Sequence, residues 1–300
     1  MSQTLNGLQF RNGFLAAARN LQQQKEMLNQ LNVFPVADRD TGINMALTMI
    51  KTAEHLPVSG TPAQIMEQAC FSLLEFSHGN SGTILALFFE GFTAELPKSN
   101  TLSGIQLARA FQKGSDFAWS GVAHPVSGTI LSVASQSAEA GLSMTEITDD
   151  AGQIMKRITD EAHAALLLTP LQNPVLRSCQ TADSGALGFC LILDGFLEAF
   201  APEYQPLSYP PLKLPEMPLS SDAPMTQRYC TEFVLSLSED TDEEQLRQML
   251  QPLGEFFLLV SRGPLCKVHI HTNDPDVVLS LASGFGTLQS EKIDDMTRSD

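Results

Sequence analysis

Two carboxylates one residue apart are the first residues in this chain whose types and spacing suggest chemistry. In NVFPVADRDTGINM, residues 32–45, Asp38 and Asp40 follow a Val-Phe-Pro-Val run and precede Thr41-Gly42, so acids stand where an apolar stretch meets a turn. On a strand such positions share a face, and in a tight turn ending at glycine their side chains can converge on one point. Converging carboxylates repel one another unless a divalent cation sits between them. Mg²⁺ takes oxygen ligands in octahedral geometry and commonly keeps waters and substrate phosphates in its remaining positions. The competing reading is an Asx-type turn that caps a helix.

Three further stretches carry a small polar residue and a glycine ahead of an apolar run: HGNSGTI (78–84), HPVSGTIL (124–131) and TADSGALGF (181–189). The first N–H groups of a helix have no partner within it and suit a phosphate, and Ser81 adds a hydroxyl. Each stretch alone is also how an ordinary capped helix begins. Together with the aspartate turn they predict helix N-termini gathered at one end of a bundle, where they could hold a polyphosphate. GxxxxGK[ST] does not occur, which excludes the ordinary P-loop.

A second cluster lies near the C-terminal end. His269 and His271 alternate in KVHIHTN and so point to one face of a strand, while Cys230 lies in YCTEF, a predicted strand of the same sheet. Cysteine plus two histidines is a usable zinc set if the strands meet; the alternative is two polar residues on a solvated face. His55, His124 and His163 read as surface or capping residues, and Trp119 and the many Phe and Met residues as core.

The elements that must position these groups are legible from periodicity. Apolar spacing of three and four recurs in Leu8, Leu15, Leu21, Leu28; in Ile65, Ala69, Leu73; in Ile84, Leu87, Phe88; in Leu107, Ala110, Phe111; in Ile130, Val133, Ala134; in Ile154, Ile158, Ala162; and in Leu187, Leu191, Leu193. With the stretch after Gly42, this predicts about eight helices and no convincing strand, punctuated by Pro57, Pro97, Pro125 and Pro170: an all-helical bundle or barrel over residues 1–201. Seven prolines between Pro202 and Pro224 predict an extended linker over 202–225. Beyond it the period changes. YCTEFVLSLS, FFLLVS, CKVHIHT and TLQSEKID read as strands, and DEEQLRQMLQPLG and DPDVVLSLASGFG as helices, giving β-α-β-β-α-β, the split βαβ arrangement, over 226–300.

Composition narrows the function classes. The chain has 300 residues, 43% of them hydrophobic, enough for one large domain or two ordinary ones. A formal charge of -16 argues against a sequence-independent grip on nucleic acid or on an anionic membrane surface, so a phosphate-bearing ligand needs a cation as intermediary. Five scattered cysteines without CxxC fit reduced thiols. No stretch reaches 18 uninterrupted apolar residues, and the N-terminus lacks a charged region followed by an apolar core, so the expectation is a cytoplasmic protein without an integral membrane segment.

In order and spacing, LNVFPVADRDTGINM, HGNSGTILALFFEGF, PVSGTILSVA and TPLQNPVLRSCQTADSGALGFCLILDGF resemble the DhaL-type nucleotide-binding domain of the fatty acid kinase (FakA, or YloV-like) family, and YCTEF and KVHIHTNDP resemble that family's middle domain. The resemblance covers nearly all of the chain. It implies an eight-helix barrel binding ATP through two Mg²⁺ ions held by aspartates. Asp38 and Asp40 would then be metal ligands and the catalytic pair, with Asn32 nearby as a further ligand. Thr41, Asn44 and Met45 would line the nucleotide site, Gly79, Asn80, Ser81 and Gly82 would cradle phosphates, and Gly128, Thr129, Asp183, Ser184 and Gly185 would complete the rim. It also implies that Cys230, His269 and His271 form a cluster, a zinc site or another functional site. The substrate would be a fatty acid presented by a separate lipid-binding protein of the FakB/DegV type and released as an acyl phosphate; homodimerisation is left open. Alternatives are a phosphotransfer component of the dihydroxyacetone kinase type and a regulatory component that binds nucleotide without catalysis.

The departures from that pattern are specific. Arg39 stands where the family has glycine in DGDTG; the run before Asn80 is Phe76-Ser77-His78-Gly79 rather than GARG; Ser127 replaces an acid before Gly-Thr; and Ala186 replaces a glycine. These changes are expected to leave binding intact and to bear on rate. The chain stops at KIDDMTRSD, where members of the family usually continue into a further domain, so the expectation is either that these residues are part of a longer chain or that the partner-docking part lies elsewhere.

Overall fold

The structure is a computed structural model that describes residues 2–205, 211–215 and 226–297. Much of the predicted linker, 206–210 and 216–225, lies outside the described residues.

Local signals start the helices where the periodicity predicts them. Asn6 and Gln9 form a reciprocal cap on α1 (Gly7–Leu31), Thr61 and Gln64 on α3 (Pro62–Phe76), and Ser103 and Gln106 on α5 (Gly104–Gly121). Between and after them come α2 (Thr41–Glu54), α4 (Gly79–Ala94), α6 (Ile130–Met144), α7 (Ala151–Gln172), α8 (Pro174–Ser178) and α9 (Ser184–Phe200). Each long helix packs on its neighbour in sequence, and α9 returns to lie along α1, closing a ring of eight with the short α8 bridging α7 and α9. The closure is tight because glycine permits it: a Cβ on Gly195 would lie 2.4 Å from the Ala17 nitrogen.

The inside of the ring is filled rather than hollow. Phe10, Phe14, Phe88, Phe89, Phe111, Phe189, Phe196 and Phe200 interlock with tilted and edge-on rings, such as Phe88 on Phe111 at 5.0 Å between centroids. A cavity of only about 20 Å³ remains among them. Among the described residues no helix is long and apolar enough to cross a membrane.

Two details differ from expectation. A minimal antiparallel pair, β1 (Leu5–Asn6) with β2 (Thr101–Leu102), ties the chain start to the α4–α5 connection. Pro170 does not stop α7, which runs on to Gln172; the Leu166 carbonyl that a residue-170 N–H would have bonded accepts from the Thr169 hydroxyl at 2.7 Å instead.

The second part contains β3 (Tyr229–Leu237), α10 (Glu243–Leu250) with a short 3-10 turn, β4 (Glu255–Arg262), β5 (Leu265–Thr272), α11 (Pro275–Ala282) and β6 (Gly286–Asp295). The strands form one antiparallel sheet in the order β4-β5-β3-β6, the split βαβ topology. Alternation along the strands gives it two buried faces. Phe233, Leu235, Phe257, Leu259, Val268 and Ile270 face α10 and α11, whereas Leu258 and Val260 join the core of the helical ring. The sheet is therefore laid against the ring, and its second face meets α3 and α4.

Candidate functional site

The turn that ends at α2 is built by asparagines. Asn29 Oδ1 accepts from the Gly42 and Ile43 amides at 2.8 and 3.2 Å, and Asn32 Oδ1 accepts from the Asp40 and Thr41 amides and from the Thr41 hydroxyl at 3.2, 3.1 and 2.8 Å. Asp40 makes no side-chain cap hydrogen bond, so the plain capping role considered for these acids is not what the fold uses. Capping by Asn29 and Asn32 leaves the carboxylates uncommitted to the first amides of α2. Asp40 Oδ2 accepts from Asn44 Nδ2 at 2.7 Å, which aims the group along α2. Asp38 is open to solvent at its edge, yet the protein crowded around its carboxyl, and then the Asp40 charge beside it, push it up to about 8. Arg39 between them adopts φ 59°, the left-handed region in which glycine is unstrained.

Beside this turn lies a cleft of about 410 Å³ between the helical ring and the sheet. Its polar end is formed by Asn80, Ser81, Thr129, Asp183 and Gly185, at or just before the starts of α4, α6 and α9. Phe34, Pro35, Ile84 and Val126 supply apolar wall from the ring, and Phe256 and Leu258 supply it from β4. The helix starts touch: a Cβ on Gly185 would lie 3.0 Å from Ser81 Oγ. Asp183 caps α9 through the Ala186 amide at 2.8 Å; burial pushes its carboxyl up to about 7 against the pull of the Ala186 and Ile130 N–H groups.

The strand register assembles the second cluster. Cys230 pairs directly with His271, and Glu232 with His269, across β3 and β5. One ligand atom from each of Cys230, His269 and His271 lies within 4.8 Å of the others. The face that carries them is not solvated: His269 is 0% and His271 4% exposed, because the helical ring covers it. Burial, then the neighbouring His269, hold His271 down at about 3, so it is neutral. Burial, then Glu232, raise the Cys230 thiol well above its usual range, and the Asp40 charge adds to that push.

Glu232, 2% exposed, joins the two clusters. Its Oε1 accepts from His269 Nδ1 at 2.8 Å and from the Gly79 amide at 2.7 Å. Lys267 Nζ stands 3.8 Å from Oε2 and donates to the Ser77 carbonyl at 2.9 Å, while His78 Nδ1, at 3.6 Å from Oε2, is too far to bond. Burial works against charge on Glu232, but the His269 hydrogen bond, then His78 and Lys267, outweigh it and hold the carboxyl well below its usual range.

Several expected site residues are placed elsewhere. Met45 is 0% exposed in the ring core, where a Cβ on Gly188 would lie 2.4 Å from its sulfur. One residue beyond Asn44, it has turned about 100° round α2. Asn32 engages both polar atoms within its own turn, Nδ2 donating to the Val36 carbonyl at 2.8 Å, so it shapes the loop rather than offering a ligand. The Ser184 hydroxyl donates inward to the Leu28 carbonyl, and Gly128, at φ 76°, closes against the Thr169 carbonyl. Gly82 lies against Thr48, where a Cβ would be 2.9 Å from its hydroxyl. His163 is not a surface residue but is buried against Asp194 at 2.8 Å, and Trp119 is 36% exposed rather than core. His124 lines the cleft. Glu232, Lys267, Phe34 and Phe256 were not anticipated; the available signal was Glu232 two residues after Cys230, on the same strand face.

Comparison with known proteins agrees with this architecture. The DAK2 domain family matches residues 35–198, and the family of the fatty acid kinase FakA-like middle domain matches 226–300. Protein YloV of Bacillus subtilis (strain 168) is 34% identical over 308 residues, covering 98% of this chain and 56% of its own length. An uncharacterized protein of Staphylococcus saprophyticus is 31% identical over 309 residues, covering 99% and 56%. The chain thus spans about half the length of the curated relatives it matches. The dihydroxyacetone kinase of C. freundii, solved with AMP-PNP and Mg²⁺, superposes with a TM-score of 0.50 at 18% identity over 66% of this chain and 35% of that one, a likeness of fold. The ring of helices and the sheet laid against it make this chain a member of the DAK2 domain family that carries the FakA-like middle domain.

Proposed function

We propose that this chain carries the nucleotide- and metal-binding parts of an ATP-dependent phosphotransferase of the fatty acid kinase type. In this reading residues 1–201 hold MgATP, 202–225 link, and 226–300 wall the cleft. The acceptor is the carboxylate of a fatty acid brought by a separate lipid-binding protein of the FakB/DegV type, and the product is an acyl phosphate. The observation that carries the reading is the division of labour at the α2 turn: asparagines take the helix-capping work and leave Asp38 and Asp40 as crowded, uncapped carboxylates beside a cleft of nucleotide size. The AMP-PNP and Mg²⁺ bound by the dihydroxyacetone kinase of like fold, and the name of the middle-domain family, support it.

The donor set fits magnesium, two acidic oxygens with no cationic side chain in ion-pair contact with either among the described residues. Asp38 and Asp40 would hold the ions, which would supply neutralisation of phosphate charge. The Asn80 and Ser81 amides, unpartnered at the start of α4, together with the Ser81 hydroxyl, bind phosphate oxygens. Phe34, Pro35 and Phe256 exclude water around the nucleoside, which limits hydrolysis. Cys230, His269 and His271 fit zinc: His269 Nε2 is buried without a partner, His271 is neutral, and Glu232 fixes the His269 ring through Nδ1. Zinc held there would have an open fourth position with Lewis-acid character.

The test is calorimetric titration of ATP and ADP, with and without Mg²⁺, on the wild-type chain and on Asp38→Ala and Asp40→Ala, followed by trapping of acyl phosphate with hydroxylamine in the presence of a loaded lipid-binding partner. Binding that needs both metal and aspartates, with product formed, is expected. Metal-independent binding would refute the assignment of the aspartates; metal-dependent binding without product would leave a nucleotide-binding component without catalysis.

A further inference from the structure

We propose that Glu232 is a positioning residue for the nucleotide site, making the hold on the Gly79–Gly82 turn depend on whether a zinc-type cation occupies the Cys230, His269, His271 cluster. The inference rests on the reading above and adds a linkage between its two metal centres.

A continuous run of contacts joins them. His269 Nδ1 donates to Glu232 Oε1 at 2.8 Å, and the same oxygen accepts from the Gly79 amide at 2.7 Å. Gly79, at φ 65°, sits so close to α2 that a Cβ there would lie 2.6 Å from Asn44 Nδ2. That amide donates to Asp40 Oδ2 at 2.7 Å. The sheet also grips the other side of His78, because Lys267 Nζ holds the Ser77 carbonyl at 2.9 Å. Two buried side chains of the sheet thus fix the entry to α4, whose next amides, at Asn80 and Ser81, face the cleft.

The run has two settings. Glu232 is an acceptor only, so His269 Nδ1 must carry the proton, which leaves Nε2 as the lone-pair nitrogen; that atom is buried and without a partner. A cation on Nε2 polarises the ring, strengthens the Nδ1–H bond and locks the ring plane, and so holds Glu232 Oε1 where the Gly79 amide meets it. With the cluster empty, the Glu232 bond is the closest polar contact that holds the ring among the described residues, and Glu232 has competing donors 3.6 and 3.8 Å from Oε2, on His78 and Lys267. Occupied and empty clusters therefore differ in contacts made to the phosphate-binding turn, the condition under which two ligands couple.

The experiment is a titration of MgADP into zinc-loaded wild type and into wild type stripped by a chelator that is then dialysed away, repeated on Glu232→Gln, with a reciprocal zinc titration with and without MgADP. Zinc is expected to tighten MgADP roughly 5- to 20-fold in the wild type, within the usual range of coupling, and MgADP to tighten zinc by the same factor. In E232Q zinc still binds, since its ligands remain, and the ratio falls to about twofold or less, because a neutral amide oxygen accepts more weakly than the carboxylate. Amide exchange over residues 77–84 reads the wild type alone, should the variant fail to fold: faster exchange in the stripped protein is expected, and unchanged exchange overturns the proposal. Equal MgADP affinity in both zinc states overturns the linkage and leaves the nucleotide site standing. No MgADP binding in either state overturns both.

Discussion

The two polar clusters that Glu232 joins are built on opposite principles. At the barrel end, reactive groups sit at helix starts, where orphan amides are plentiful and the chain is held by side chains reaching from another helix: Asn29 and Asn32, at the end of α1, fix the start of α2. On the sheet they sit at register positions, and cross-strand pairing alone places Cys230 against His271 and Glu232 against His269. The first arrangement opens onto the cleft, as the proposed polyphosphate site requires. The second is dry, which drives His271 far from its ordinary protonation and leaves every partner obligatory. Positioning by caps permits exchange of ligands; positioning by register favours permanence.

Removing Glu232 outright should break the dry cluster hardest. Glu232→Ala leaves Lys267 as an uncompensated buried cation and the Gly79 amide without its acceptor, and a loss of roughly 3–5 kcal/mol is expected in denaturant unfolding. A loss below about 1 kcal/mol would mean that water reaches this face.

The pH dependence of the rim separates the two principles next. Asp183 titrates at about 7 in the folded chain against an ordinary 3.8. Its folded-state value is raised, so its contribution to stability is complete below about pH 4 and is lost as pH rises through about 7. Asp183→Asn keeps a capping oxygen and removes the titration. The variant should gain on the wild type between about pH 4.5 and 8, by at most a few kcal/mol at about 1.4 per unit of pKa difference, measured as unfolding midpoints at the two pH values. A constant difference would show Asp183 to be hydrated.

Asn32→Ala removes three accepted hydrogen bonds from the α2 turn and is expected to cost about 2 kcal/mol and to weaken MgADP binding, while zinc affinity of the sheet cluster in the nucleotide-free chain stays within about twofold. Equal damage to both sites would remove the distinction between them. The smallest effect belongs to Arg39→Gly. Glycine relieves the left-handed backbone at φ 59° at some entropic cost, so thermal unfolding should shift upward by the equivalent of about 0.5–1 kcal/mol.

Much of the frame was legible in the sequence because periodicity is local. Three-and-four spacing marked the ring helices, and the switch to alternation marked the sheet and its order. The site was legible only where a motif's neighbours in sequence are its neighbours in space. Asp40 meets Asn44 one helical turn on and Asp38 two residues back. Met45 follows Asn44 immediately and still faces the core, since adjacency in a motif says nothing about which way a helix has turned. Glu232 could not be ranked above the other acids, because what marks it out, an amide from residue 79 and a ring from residue 269, comes from chain segments far away. Asn32 misleads for a related reason: an amide side chain beside two acids looks like a ligand until its partners at 36, 40 and 41 are seen.

The sheet's second apolar face has a thermodynamic meaning of its own. Leu258 and Val260 belong to the same buried cluster as Phe88 and Leu107 of the ring, so the two parts share a core although a proline-rich stretch separates them in sequence. Heat should dissolve them together in a single calorimetric peak, and the sheet excised alone would carry an uncovered oily surface into solution.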